Sequence, residues 1–164
     1  MQILHRAARF TNNVRDLKKI YMLQIRSKLE QSAVVWHSSL TKKNISDLER
    51  VQKSALRLIL KENYIDYKNA LNVMKLDTLE VRREKLCLKF AKACLKNDKL
   101  FNMFPKSTKS HSMNMRENKM FEVKKARTER LHRSAVVTMQ RLLNKDDSDK
   151  RKIFRQINDM TLSQ

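Results

Sequence analysis

Apolar side chains recur at steps of three and four through most of this chain, the spacing that places them on one side of a helix. Ile3, Leu4, Ala7, Ala8 and Phe10 outline a short helix over 3–10. Val14, Leu17, Ile20/Tyr21, Ile25 and Leu29 mark a longer one over roughly 14–32. The following AVVWHSSL either extends that helix or leaves it in a bend, and Trp36, among Val34, Val35 and Leu40, reads as a core anchor rather than a base-stacking platform. The clearest stripe is Ile45, Leu48, Val51, Ala55, Leu56, Ile59 and Leu60. Asn44 or Ser46 can cap its start, Ser46 with Glu49 has capping-box spacing, and Asp47 suits the positive end. Arg50, Lys53 and Arg57 fall off the stripe and give this helix a basic solvent side. After a polar turn, Tyr67, Ala70, Leu71 and Met74 predict a short helix. Asp77 and Glu80 offer the box for another helix to about Leu95, with Leu79, Leu86, Cys87, Phe90 and Cys94 inward.

From Pro105 the periodicity lapses. Residues 105–118 are almost wholly polar, basic or methionine, a composition and length that predict a flexible basic linker. Leu131, Ala135, Met139 and Leu142 restore the spacing and predict a helix from about 125 to 144. The expected organisation is a helical region over 1–104, the linker over 105–118, a basic helical segment over 119–145 and a disordered tail over 146–164.

Composition strengthens the helical reading. The 164 residues contain no glycine and one proline, where an average domain of this length carries about eleven glycines. Hairpins and type II turns mostly need a residue that accepts positive φ, so a sheet-rich fold is disfavoured and an all-α, small irregular helical bundle is expected. Cys87 and Cys94, seven residues apart on one helix, lie about 10 Å apart along it, too far for a disulfide, and read as small core-facing groups in a reducing compartment. The apolar run in MQILHRAARF is too short for a signal peptide and no later run reaches membrane-spanning length, so an intracellular protein without a membrane partner is expected.

Charge brings in a candidate ligand. Thirty-seven Lys and Arg against 17 Asp and Glu give +20, and the excess is distributed: twelve cations against four anions over 1–60, ten against six over 61–105, fifteen against seven over 106–164. Such a field attracts polyanions and opposes self-association. Arg82 and Arg83 open one basic helix, which Lys85, Lys89, Lys92 and Lys96 continue at steps of four, three and four, so that the four lysines share one face and can follow a phosphate backbone. Lys124, Lys125, Arg127, Arg130 and Arg133 form a second cluster. The alternative for each cluster is a solvated helix face. Zinc-finger, basic-zipper and RNP patterns are absent, so contacts would be to RNA or DNA phosphates rather than to bases.

Catalytic signals are sparse. Asp146 and Asp147 adjoin in a hydrophilic segment without an apolar frame, and read as solvent-facing residues rather than metal ligands. His5, His37, His111 and His132 are scattered and form no zinc spacing with the cysteines. No metal, no cofactor and no catalytic residue is assigned.

Taken together, IRSKLEQSAVVWHSSL, LERVQKSALRLIL and LDTLEVRREKLCLKFAKACLKN resemble the C-terminal region, downstream of the palm, of jockey-like non-LTR retrotransposon reverse transcriptases. The likeness runs from about residue 4 to residue 144 and takes in KKARTERLHRSAVVTMQRLLN. Arg26, Leu29 and Glu30 match that family's R-S-x-L-E element and Trp36 its following V-W. Leu48, Glu49, Gln52 and Arg57 match L-E-x-x-Q-x-x-x-x-R, and Leu76, Leu79, Arg82 and Arg83 match L-x-x-L-x-x-R-R. The resemblance implies thumb-like or post-thumb helices that help hold template and primer, and it places the catalytic aspartates upstream in a palm that this chain lacks. It also marks departures: Lys61 and Lys75 stand near helix ends where relatives often have glycine, and Val137 near where they often have proline. Keeping a positive-φ cap without glycine would cost on the order of 1 kcal/mol. The expected function is a non-catalytic reverse transcriptase fragment with nonspecific nucleic-acid binding. The alternatives are a structural or protein-interaction module whose apolar faces meet a palm or another protein, and a degenerate product without function.

Overall fold

In the computed structural model, which describes residues 1–105, 121–123, 125 and 127–147, the regular structure is helical and no sheet forms among those residues. The chain divides into two compact units, Met1–Lys85 and Leu86–Gln164. The segment expected over 1–104 therefore contains the whole first unit and the start of the second. Apart from Pro105, the expected linker lies outside the described residues, as does the expected tail beyond Asp147.

The first unit begins with α1 (Gln2–Phe10) and α2 (Val14–Ile20), which Asn13 caps by accepting from the Arg15 N–H at 3.0 Å. A π-helical stretch, Tyr21–Arg26, continues α2 into α3 (Ser27–Glu30). The wide turn has a packing consequence. A step of four overshoots an α-turn of about 3.6 residues, whereas the i→i+5 turn is wider. Mixing the two keeps Leu17, Tyr21 and Ile25, all buried, on one side. Ser32 at φ 53° ends the run, and α4 (Ala33–Trp36) passes through a 3₁₀ turn, His37–Ser39, so the AVVWHSSL segment is a bend.

Helix α5 (Lys42–Leu60) is the longest among the described residues. It starts earlier than expected because Thr41, and neither Asn44 nor Ser46, is the cap: its hydroxyl accepts from the Asn44 N–H at 3.2 Å. A 3₁₀ turn, Lys61–Asn63, leads to α6 (Tyr67–Met74), capped by Asp66. Helices α1, α2 and α5 pack on one another, and α6 packs on α5. Leu4, Leu17, Tyr21, Ile25, Ala55, Leu56, Ile59, Leu60, Ala70, Leu71 and Met74 form the core between them. Each fully buried leucine contributes about 1.5–3 kcal/mol through apolar surface removed from water. On α1 only Leu4 is buried; Ile3 and Phe10, expected on its inward side, are 51% and 90% exposed.

Helix α7 (Leu79–Cys94) starts in the first unit and ends in the second. The expected Asp77–Glu80 box gives way to two other partners: the Thr78 hydroxyl accepts from the Val81 N–H at 3.3 Å, and Glu49 accepts from the Glu80 N–H at 2.9 Å. Its buried positions are Leu79, Arg83, Cys87, Ala91 and Cys94, steps of four, four, four and three. Both cysteines are buried, and neither is in a disulfide. Phe90, expected inward, is 44% exposed, because Ala91 occupies the position one residue further round.

In the second unit α8 (Asp98–Phe101) is followed by Phe104, which meets Phe121 edge-on at 6.4 Å. The Pro105 carbonyl accepts from the Glu122 N–H at 3.1 Å. Asn144 brackets the Phe121 backbone, accepting from its N–H at 2.9 Å and donating to its carbonyl at 3.1 Å. The single helix expected over 125–144 is instead two: α9 (Glu129–His132), and α10 over 135–147, whose first turn Ser134 caps through the Val137 N–H. Asp146 and Asp147 belong to α10 rather than to a tail, and Asp146 pairs with Lys92 at 2.9 Å.

Candidate functional site

The cations nominated from the sequence separate into those left at the surface and those used within the fold. On α5, Arg50, Lys53 and Arg57 are exposed, at steps of three and four along one side. Arg50 pairs with Asp47 at 3.3 Å, and the Arg57 guanidinium lies 5.3 Å from the centre of the Tyr64 ring. On α7 and just beyond it, Lys89 and Lys96 are exposed. Lys85 pairs with Asp77 at 2.6 Å and Lys92 with Asp146, so the four-lysine row carries partners at two of its positions. Lys125, Arg127, Arg130 and Arg133 are exposed, with Arg133 held by Glu129 at 2.6 Å; Lys124 lies outside the described residues.

The two arginines that open α7 sit differently from expectation. Arg83 is wholly buried, four residues from Leu79 and four from Cys87 on the inward stripe, so it is not on the solvent side of the helix. Its Nε donates to His37 Nδ1 at 3.4 Å, and its guanidinium carbon lies 5.8 Å from the Trp36 ring centre. Burial and the adjacent Arg83 charge hold the imidazole of His37 below its ordinary pKa, against the opposing pull of Glu84 and Glu80. Arg82 reaches α3 instead, its Nε 3.1 Å from Glu30 Oε1; Arg26 meets the same oxygen at 3.5 Å, and Glu30 is only 12% exposed.

A polar network unforeseen from the sequence ties the π-helical stretch, α5, α6 and the start of α7 together. Gln52, buried on α5, accepts from the Tyr21 hydroxyl at 2.6 Å and donates to the Tyr67 hydroxyl at 3.1 Å and the Asp77 carbonyl at 3.0 Å. The Tyr67 hydroxyl donates to one oxygen of Glu49, whose other oxygen takes the Glu80 N–H. Burial raises both tyrosines well above the usual phenol range; for Tyr67 the hydrogen bond to Glu49 adds to it. Both hydroxyls therefore act as hydrogen-bond donors at any physiological pH. Lys18 adds a further tie, donating to the Met74 carbonyl at the end of α6 at 2.6 Å. One signal could have revealed the network: Gln52 lies four residues from both Leu48 and Leu56, a polar residue in an apolar row, as Arg83 is in its own.

Glu30, Trp36, Glu49, Gln52, Arg82 and Arg83 each make a contact that joins separate helices or a helix to a turn. Among the described residues, no group of three or more His, Cys, Asp and Glu is placed to hold a metal ion, and no helix is long and apolar enough to cross a membrane.

The fold and this bracing define an all-α helical assembly in which polar side chains lock helix to helix. No protein-family model, curated protein or solved structure matches the chain.

Proposed function

We propose that this chain is a helical structural and protein-interaction module, made to be held against a further protein part rather than to perform chemistry. The observation that carries this reading is the use of Glu30, Glu49, Gln52, Arg82 and Arg83 in contacts between elements. The positions by which the chain resembles the post-palm region of a retroelement reverse transcriptase brace helices, the role expected of a rigid appendage to a larger enzyme. Large apolar side chains on the first unit support it: Phe10, Leu23, Val35 and Ile65 are 90%, 71%, 72% and 77% exposed. Light scattering with an apolar dye tests it. Dye binding by the folded chain, displaced on adding a palm-containing protein, is the expected result. A cooperatively folding monomer that binds no dye overturns it.

A second reading, nonspecific binding of RNA or DNA, is favoured by the cations that remain at the surface: Arg50, Lys53 and Arg57 along α5, Lys89 and Lys96, and Lys125, Arg127 and Arg130. Anisotropy titrations of labelled single-stranded RNA and duplex at two salt concentrations test it. Affinity that falls steeply with salt supports phosphate contacts, whereas no binding at low salt, or binding indifferent to salt, excludes them.

A further inference from the structure

The contact between the bend after α3 and the start of α7 has a property that the rest of the bracing lacks. In the other ties of the first unit the acceptors are carbonyl, amide, hydroxyl or carboxylate oxygens. Here one acceptor of buried Arg83 is an imidazole nitrogen, His37 Nδ1, at 3.4 Å. Arginine stays charged at any pH a protein meets, so only the histidine can change state. A proton on Nδ1 removes this acceptor and puts a second cation beside the buried guanidinium.

The same contact positions Trp36. Its ring lies against the Arg83 guanidinium at 5.8 Å, its indole N–H donates to the Gln31 carbonyl at 2.8 Å, and its own carbonyl accepts from Ser39 at 2.8 Å. The segment is short: four residues of α4 and three of 3₁₀ turn. The charged groups that bear on His37 from α7 are Arg83, Glu80 and Glu84. The two carboxylates favour the imidazolium and the arginine opposes it. Among the described residues, Arg83 alone is hydrogen-bonded to the ring, and burial acts in the same sense as Arg83.

We propose that His37 and Arg83 form an acid-released latch: protonation of His37 detaches the Trp36–His37 turn from α7 while the helices of the first unit stay folded. In the latched state the imidazole is neutral and accepts from Arg83. In the released state it is a cation that moves toward water and takes the indole with it. The latch would let mildly acidic surroundings change the surface around Val35 and Trp36 without unfolding the unit.

Trp36 is the only tryptophan in the chain, so its indole N–H gives a single, unambiguous nuclear magnetic resonance signal and its ring is the sole source of tryptophan fluorescence. The full-length chain is titrated from pH 7.5 to about 5, following that N–H signal, the His37 ring signals and far-ultraviolet circular dichroism. The expected result is that the indole and His37 signals move together with a midpoint below the ordinary histidine value of 6.5, at constant helicity. His37→Asn keeps an acceptor near the Nδ1 position but cannot titrate, and is expected to abolish the indole transition. An indole signal that stays put, one that moves with a different midpoint from His37, or one that moves only as helicity is lost overturns the latch. So does an unchanged transition in folded His37→Asn. Should that variant fail to fold, the titration of the native chain decides alone.

Discussion

The Tyr21 hydroxyl and the Gln52 side chain meet at 2.6 Å in the interior, 31 positions apart in sequence, and join the π-helical stretch to the middle of α5. Gln52 has both ends of its amide engaged, with Tyr67 and the Asp77 carbonyl on the other side. Gln52→Leu preserves the bulk but leaves the Tyr21 hydroxyl and the Asp77 carbonyl to lose their partner. Each such buried group costs about 1–3 kcal/mol, so a loss of roughly 2–4 kcal/mol is expected. Urea denaturation checks it: the midpoint falls while the slope is unchanged. A loss below about 1 kcal/mol would mean that the network is dispensable.

Glu30 serves two arginines from one oxygen, Arg26 within its own helical run and Arg82 across from α7. The Arg82 side chain is 38% exposed, so solvent screens the pair and its worth is near the upper end for surface bridges. A double-mutant cycle of Glu30→Gln with Arg82→Gln is expected to give a coupling of about 1 kcal/mol, reduced by added salt. Independent, additive effects would show that the contact contributes nothing.

Lys75 ends α6 at φ 49°, ψ 56°, and its N–H closes the helix onto the Leu71 and Asn72 carbonyls. A side chain with a Cβ is disfavoured there by about 1–2 kcal/mol, part of which glycine returns through its greater freedom when unfolded. Lys75→Gly is therefore expected to raise stability by roughly 0.5–1 kcal/mol, a few degrees in Tm, whereas Lys75→Ala gives no gain. Calorimetry on the two variants distinguishes removal of strain from removal of charge.

His37 makes stability depend on pH in a definite direction. Its folded pKa lies below the unfolded value of 6.5, so the unfolded chain binds the proton more readily. The contribution is complete above pH 6.5 and is lost as pH falls through the folded pKa. Melting temperatures measured between pH 7.5 and 5 should decline more steeply for the native chain than for His37→Asn. Parallel curves would show that His37 carries no such linkage.

Much of the architecture was legible in the sequence because it follows from local rules. The absence of glycine and the three- and four-residue spacing led to an all-α fold, and the stripes on α5 and α6 lie where their periodicity placed them. The residues near helix ends that were singled out as lacking glycine, Lys61 and Lys75, do adopt positive φ, at 47° and 49°. Caps were less legible, since Thr41, Asn44 and Ser46 can each accept from a backbone N–H, and only the path of the incoming chain selects among them.

The positions of the candidate site residues required the tertiary structure. Arg82 and Arg83 are adjacent in sequence and chemically alike, yet one is half-exposed and the other wholly buried, because neighbouring helix positions point about 100° apart. Charge made both appear surface-bound, but a buried arginine becomes tolerable once the fold supplies partners such as His37 and Trp36 from 46 and 47 positions away. Periodicity and composition thus determined that this chain forms helices and carries an excess of positive charge. Which cations face water and which lock helices together depends on long-range partners, and those exist only once the chain is folded.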